Sequence, residues 1–96
     1  MDGRSDMTAK DMFEQMEYIR ISDDPVTYEK RFFVYGPEDG WKTRTRYKVV
    51  FNPETKQADL ITTWEVDSYV GTEHKYEVES DLLYTIQKQM MELGWI

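Results

Sequence analysis

Few residues of this chain are of a type that could do covalent or acid–base chemistry. His74 is the only histidine, and the 96 residues include no cysteine. Nucleophilic catalysis needs an activated Ser, Thr, Cys or Lys beside a base. A small hydrolase acting through His74 is one hypothesis, but no motif supplies a partner for this side chain. We therefore expect that the protein is not an enzyme.

Metal and nucleotide motifs are also absent from the sequence. There is no His-x-x-x-His pair, no EF-hand spacing and no cysteine cluster. Asp23-Asp24 and Glu73-His74 could contact a divalent ion weakly, but such neighbours are ordinarily turn formers or solvated charge. The loop glycines stand singly, so no phosphate-binding glycine loop is present. We expect no cofactor and no metal site.

The charged residues form two stretches of opposite sign in a chain of net charge −7. Lys42, Arg44, Arg46 and Lys48 make a basic strip, but the acidic total disfavours direct binding to nucleic acid. The acidic stretch could instead imitate the phosphates of nucleic acid towards a basic protein, which makes a nucleic-acid mimic our alternative hypothesis. Its candidate residues are Asp59, Glu65, Asp67, Glu73, Glu77, Glu79 and Asp81.

Length and composition indicate one small domain. Ninety-six residues with 40% hydrophobic content can build a single core. The lack of cysteine favours a reducing, intracellular compartment, and no apolar stretch is long enough to span a membrane. We expect Met1–Asp6 to be a disordered leader and residues 7–96 to form a single α+β domain.

Helix signals flank the middle of the chain. Thr8 and Asp11 have the spacing of a capping box, and the apolar residues that follow predict a helix ending near Tyr18. A second helix starts with Glu79 or Ser80 as its cap. Gly94 is placed to end it in a left-handed conformation. The apolar stripe of this second helix comprises Leu82, Leu83, Ile86, Met90 and Leu93.

Alternating patterns between the helices predict antiparallel strands. A strand over Val26–Tyr35 is followed by the loop Gly36–Gly40, a clear strand over Trp41–Phe51, a turn and a matching strand from Ala58. Residues 18–22 are expected to be extended, and residues 69–78 form either a loop or a short edge strand. The predicted fold is α+β: a helix, a three- to four-stranded antiparallel meander and a C-terminal helix.

Strand register explains the basic strip without any ligand. If Phe51 pairs with Ala58, Arg44 lies opposite Glu65 and Lys42 lies opposite Asp67. The strip is then mainly a ladder of cross-strand ion pairs, each worth about 0.2–1 kcal/mol. Tyr47 falls on the core face in this register, so it cannot serve as a stacking platform for nucleic acid.

A surface patch depends on where the helices pack. If both cover one face of the sheet, the other face exposes apolar and aromatic residues among charges, which is typical of an interface. If the helices cover opposite faces, or residues 18–22 lie over this side, no patch exists. The sequence leaves both arrangements open. The candidate interaction surface comprises Phe33, Tyr35, Val50, Ile61, Arg44 and Arg46.

Two terminal segments carry a family resemblance. The stretches MTAKDMFEQMEY (residues 7–18) and IQKQMMELGW (residues 86–95) resemble the opening and closing segments of small uncharacterised proteins encoded by phages and prophages of low-GC Gram-positive bacteria. The resemblance implies an accessory protein with a helix–sheet–helix fold and transfers no catalytic residue. It favours a non-enzymatic protein in the cytoplasm of a bacterial host cell that binds a host or phage protein, or a second copy of itself. Under the alternative hypothesis, the acidic mimic inhibits a host defence nuclease, as an anti-restriction or anti-CRISPR protein.

Overall fold

The computed structural model describes residues 7–35, 42–66, 69–73 and 78–96. The expected leader, the loop at 36–40, Asp67, His74 and Glu77 lie outside these residues. The described elements are α1 (Ala9–Gln15), β1 (Ile19–Asp23), β2 (Val26–Tyr35), β3 (Lys42–Asn52), β4 (Gln57–Val66), β5 (Tyr69–Glu73) and α2 (Ser80–Glu92). The predicted α+β order of helix, antiparallel meander and helix is confirmed.

The sheet is a meander with strand order β1-β2-β3-β4-β5, in which each strand pairs antiparallel with its neighbours in sequence. The short edge strands β1 and β5 bring the described strands to five, where the sequence predicted three or four. The expected register of β3 and β4 is confirmed, because Phe51 pairs with Ala58 and Arg44 with Glu65.

Gly71 in β5 is required by a close approach. It lies opposite Trp64 of β4, and a Cβ atom added to it would fall 2.0 Å from the indole ring. No real Cβ atom tolerates such a distance, so the indole packs directly on the glycine backbone. The glycine that made this segment look irregular in sequence therefore belongs to a strand.

The capping box predicted for α1 is present. The Thr8 hydroxyl accepts a hydrogen bond from the Asp11 amide, and the Asp11 carboxylate accepts one from the Thr8 amide. The helix ends at Gln15, earlier than expected, because Glu17 adopts a positive φ of 68°. The Tyr18 amide then donates to the Phe13 carbonyl, which completes a Schellman ending that composition alone does not signal.

The second helix ends as the sequence predicts. Gly94 has a φ of 77°, and the Trp95 amide donates to the Met90 carbonyl over 2.9 Å. Its N-cap is Glu79, whose side chain makes no capping hydrogen bond. Of the described helices, neither is long and apolar enough to cross a membrane.

Both helices pack on one face of the sheet. Phe13 of α1 stacks on Tyr28 of β2 with ring centroids 3.8 Å apart. Leu82 and Ile86 of α2 belong to the same buried cluster. Strand alternation puts the remaining cluster residues of the sheet on this face as well. The strand residues of the cluster are Val26, Tyr28, Val49 and Phe51, with Tyr47, Ala58 and Leu60 packed at its margin.

Polar contacts fasten the two helices within this core. The Tyr28 hydroxyl, in a fully buried residue, donates to the Gln89 side-chain carbonyl of α2 over 2.6 Å. The Glu92 carboxylate at the end of α2 accepts from the Ala9 amide, at the start of α1, over 2.7 Å. An acidic group suits this position, since the first turn of a helix has unpaired amides and positive partial charge.

The hydroxyl of Tyr28 gives the first prediction. Tyr28→Phe leaves the buried Gln89 oxygen without its donor, so we expect the free energy of unfolding to fall by about 1–3 kcal/mol. Tyr84→Phe is the matched control, because Tyr84 is exposed on α2. Urea unfolding followed by circular dichroism at pH 7 measures both variants.

The same pair predicts a pH dependence. Burial, opposed by the neighbouring Arg20 guanidinium, raises the pKa of Tyr28 above its ordinary value of 10.0. The unfolded chain therefore loses this proton first, and wild-type stability falls as pH rises above about 10. We expect the difference between wild type and Tyr28→Phe to shrink from pH 9 to pH 11. A difference that grows over this range would contradict the buried, neutral hydroxyl.

Candidate binding face

The sheet face opposite the helices carries the predicted interaction residues. We call it the open face. Because both helices lie on the other side, the arrangement that exposes a patch is the one the structure adopts. Tyr35 ends β2 opposite Lys42, and its side chain lies outside the description. The described open-face residues of β2, β3 and β4 are Thr27, Glu29, Arg31, Phe33, Arg44, Arg46, Lys48, Val50, Asp59, Ile61, Thr63 and Glu65.

Three arginines and one phenylalanine surround a depression on this face. Arg31 of β2 lies directly opposite Arg46 of β3, and Phe33 lies opposite Arg44. These four residues line a cavity of about 250 Å³, together with Phe32, which lies between Arg31 and Phe33 in sequence, and Thr45, which lies between Arg44 and Arg46. Phe33 is 46% exposed. Arginines opposite one another are unfavourable in a sheet, so the pairing of Arg31 with Arg46 in this arginine row costs stability.

Glu29 is the residue that sequence reasoning missed. It lies on the open face next to the arginine row, yet its side chain is only 4% exposed. Its carboxylate pairs with the Arg31 guanidinium and lies 3.9 Å from the Lys48 ammonium. A buried acid needs such partners, because an isolated charge is costly to remove from water. In sequence, its position two residues before Arg31 on one strand face was the available signal.

The expected ion-pair ladder is mostly not formed. Arg44 and Glu65 lie opposite each other in register, but no ion pair joins them in the part of the chain that the structure describes. Lys48 pairs back to β2 through Glu29 instead of across to β4. Arg46 faces Thr63, which carries no charge. The pair of Lys42 with Asp67 lies outside the described residues.

The basic strip therefore contains two arginines, Arg44 and Arg46, that form no ion pair among the described residues. Within the described ranges, the ion pairs recorded for this face use Arg31, Lys48 and Glu29. Arg44 and Arg46 point to the same cavity without an acid. Arginine pairs well with carboxylates because its planar fork can donate two parallel hydrogen bonds. The site can thus bind a carboxylate and pack an apolar group on Phe33.

The candidate acidic surface divides between two layers. Asp59 and Glu65 lie near the two ends of β4 on the open face, at positions opposite Val50 and Arg44. Glu79 and Asp81 lie at the start of α2, in the helix layer. The side chain of Glu73 lies outside the description, as do Asp67 and Glu77.

Among the described residues, no group of three or more His, Cys, Asp or Glu side chains could hold a metal ion.

Glu29 gives the second prediction. Glu29→Gln removes the charge that pairs with Arg31 and Lys48 and leaves Arg31 facing Arg46 without a neutralising acid. Because Arg31 is largely exposed and solvent screens the pair, we expect a loss of about 1–2 kcal/mol in the free energy of unfolding. Glu54→Gln, in the exposed β3–β4 turn, is the matched control.

Urea titrations of both variants measure this difference. A Glu29→Gln protein as stable as the Glu54→Gln control would show that the buried carboxylate is not needed to hold the arginine row.

Comparison with known proteins gives no relative on which to base a function. No protein-family model matches this chain, and neither a curated protein nor a solved structure matches it. The geometry of the open face is therefore the basis for the function proposed below.

Proposed function

We propose that this chain is a non-enzymatic accessory protein of phage or prophage origin that binds another protein through its open face. The observation that carries the proposal is the cavity walled by Arg31, Arg44, Arg46 and Phe33 on the side that the helices leave uncovered. The resemblance of the terminal segments supports the phage origin. The partner is a protein of the host or of the phage, in the bacterial cytoplasm.

The composition of the open face supports binding to a protein. Interfaces are enriched in aromatic residues and arginine, which supply contact area and directed hydrogen bonds. Phe33, Val50 and Ile61 contribute apolar surface on three adjacent strands. Arg44 and Arg46 add donors beside them. The face thus carries Phe33 among the arginines at one end and Ile61 and Val50 towards the other end, on a sheet that is already formed before binding.

Charge favours an acidic protein over nucleic acid. The whole chain carries −7, so any anionic partner is repelled at long range, and a densely charged polyphosphate backbone is repelled most strongly. Asp59 and Glu65 flank the arginine row on the same face, and they would meet phosphates on either side of it. A short acidic stretch of a protein can reach the cavity without passing Asp59 and Glu65. The expected partner therefore presents its carboxylates locally, beside the arginines.

The nuclease-mimic hypothesis is less well supported by geometry. A phosphate mimic needs a continuous acidic surface, whereas the described acids belong to two different layers. Its expected partner is a basic protein that is released at high salt. The experiment below distinguishes it, because a basic partner would not depend on the arginines.

The third prediction concerns capture of the partner. We expect Phe33→Asp and Arg46→Glu to lower the amount of partner retained by an immobilised protein from a Gram-positive host lysate by about tenfold or more, the loss typical of an interface hot spot. Phe33→Asp removes the aromatic wall of the cavity, and Arg46→Glu reverses the charge of one of its cationic walls. Quantitative mass spectrometry of the retained proteins measures the effect.

Matched controls separate binding from folding. Tyr84→Asp changes an aromatic residue of the same 46% exposure on α2, and Lys56→Glu reverses a charge in the β3–β4 turn. Both controls should retain the partner, and thermal unfolding should show all four variants folded. Partner retention by Phe33→Asp and Arg46→Glu equal to that of the controls would overturn the proposed binding face.

A further inference from the structure

Half of strand β2 has a free edge. Strand β1 pairs with β2 only as far as Ile19 opposite Glu29, and there the chain turns away into α1. Strand β2 continues through Lys30–Tyr35, which pair with β3 on their other side. In the described part of the chain, no strand pairs with Lys30–Tyr35 on the side of β1. Such an edge presents alternate backbone amides and carbonyls for an added strand.

Side chains along this edge differ between the two faces. Arg31 and Phe33 belong to the open face and line the arginine cavity. Phe32 and Val34 project to the other face of the sheet. Phe32 packs edge-on against Tyr47 with centroids 4.8 Å apart, and Val34 is 48% exposed. A strand lying beside β2 would therefore meet cations on one face and apolar surface on the other.

We propose that the free edge of Lys30–Tyr35 receives an extended segment of the partner protein, in which acidic and apolar residues alternate, as a further strand of the sheet. The inference rests on the proposed function and specifies how the partner is recognised. Acidic side chains of the segment face Arg31 and reach towards Arg46, while its apolar side chains cover Phe32 and Val34. Backbone hydrogen bonds give affinity, and the two faces give specificity.

Charge excludes a second copy of the chain as the preferred occupant. Two copies paired antiparallel at this edge are related by an axis perpendicular to the sheet, so their open faces lie on the same side. Arg31, Arg44 and Arg46 of both copies would then lie on the same side of the joined sheet. Like charges side by side destabilise a sheet, whereas carboxylates in the same places complete the row. The edge therefore suits an acidic strand better than its own sequence.

The test uses a fluorescent hexapeptide of alternating valine and glutamate and the full-length protein, with binding followed by fluorescence anisotropy. Two further peptides are N-methylated, one on the valine and one on the glutamate nitrogens. An added strand donates to its neighbour through alternate amides only. We expect one N-methylated peptide to bind about as well as the parent and the other to bind at least about tenfold more weakly.

Side-chain recognition is tested with the same probe. A peptide with lysine in place of glutamate should not bind. Arg31→Glu should weaken binding of the glutamate peptide about tenfold, and Lys56→Glu should leave it unchanged. Equal binding by the two N-methylated peptides would overturn strand addition, as would equal binding by the lysine peptide.

Two further outcomes identify a different occupant. A protein dimer in light scattering that Val34→Asp dissociates would assign the edge to a second copy and overturn the proposal. Binding of a fluorescent thymidine oligonucleotide in place of the glutamate peptide would do the same. If no peptide binds while Phe33→Asp still loses the lysate partner, strand addition fails and the binding face stands. If the peptide binds as expected but Phe33→Asp retains the lysate partner as well as wild type does, the proposed function fails instead.

Discussion

The buried ring of Tyr28 fixes the arrangement of the whole molecule. It lies on β2, Phe13 of α1 stacks on it, and Gln89 of α2 accepts a hydrogen bond from its hydroxyl. Breaking this hydrogen bond is costly, because Gln89 is itself buried and its side-chain oxygen would lose the phenol as a partner without becoming exposed to solvent. Two helices that meet the same side chain must share one face of the sheet. The opposite face is consequently left open.

The open face is shaped by a conflict between stability and charge. Arg31 and Arg46 face each other across β2 and β3, a pairing that costs stability. Glu29 offsets part of this cost from within the sheet surface, where it contacts Arg31 and Lys48. Arg44 and Arg46 form no ion pair with the described residues, although Glu65 lies opposite Arg44 in register. Local conflicts of this kind are expected where a surface serves binding rather than folding.

Sequence patterns predicted the parts of the structure that depend on local chemistry. The capping box at Thr8, the stop at Gly94 and the register of β3 against β4 follow from neighbouring residues and were predicted correctly. The shared face of the helices was left open, because it depends on long-range contacts such as that of Tyr28 with Gln89. The ladder of ion pairs was wrong between Arg44 and Glu65, since residues opposite in register need not bring their charged ends together.

Backbone hydrogen exchange of the complex tests most directly whether the open face binds. The protein retained by wild type from the lysate is added, and amide exchange of this chain is compared with and without it. We expect slower exchange in β2 and β3, around Phe33 and Arg46, with no change along α2. Slower exchange confined to α2 or to the β3–β4 turn would contradict binding at the open face.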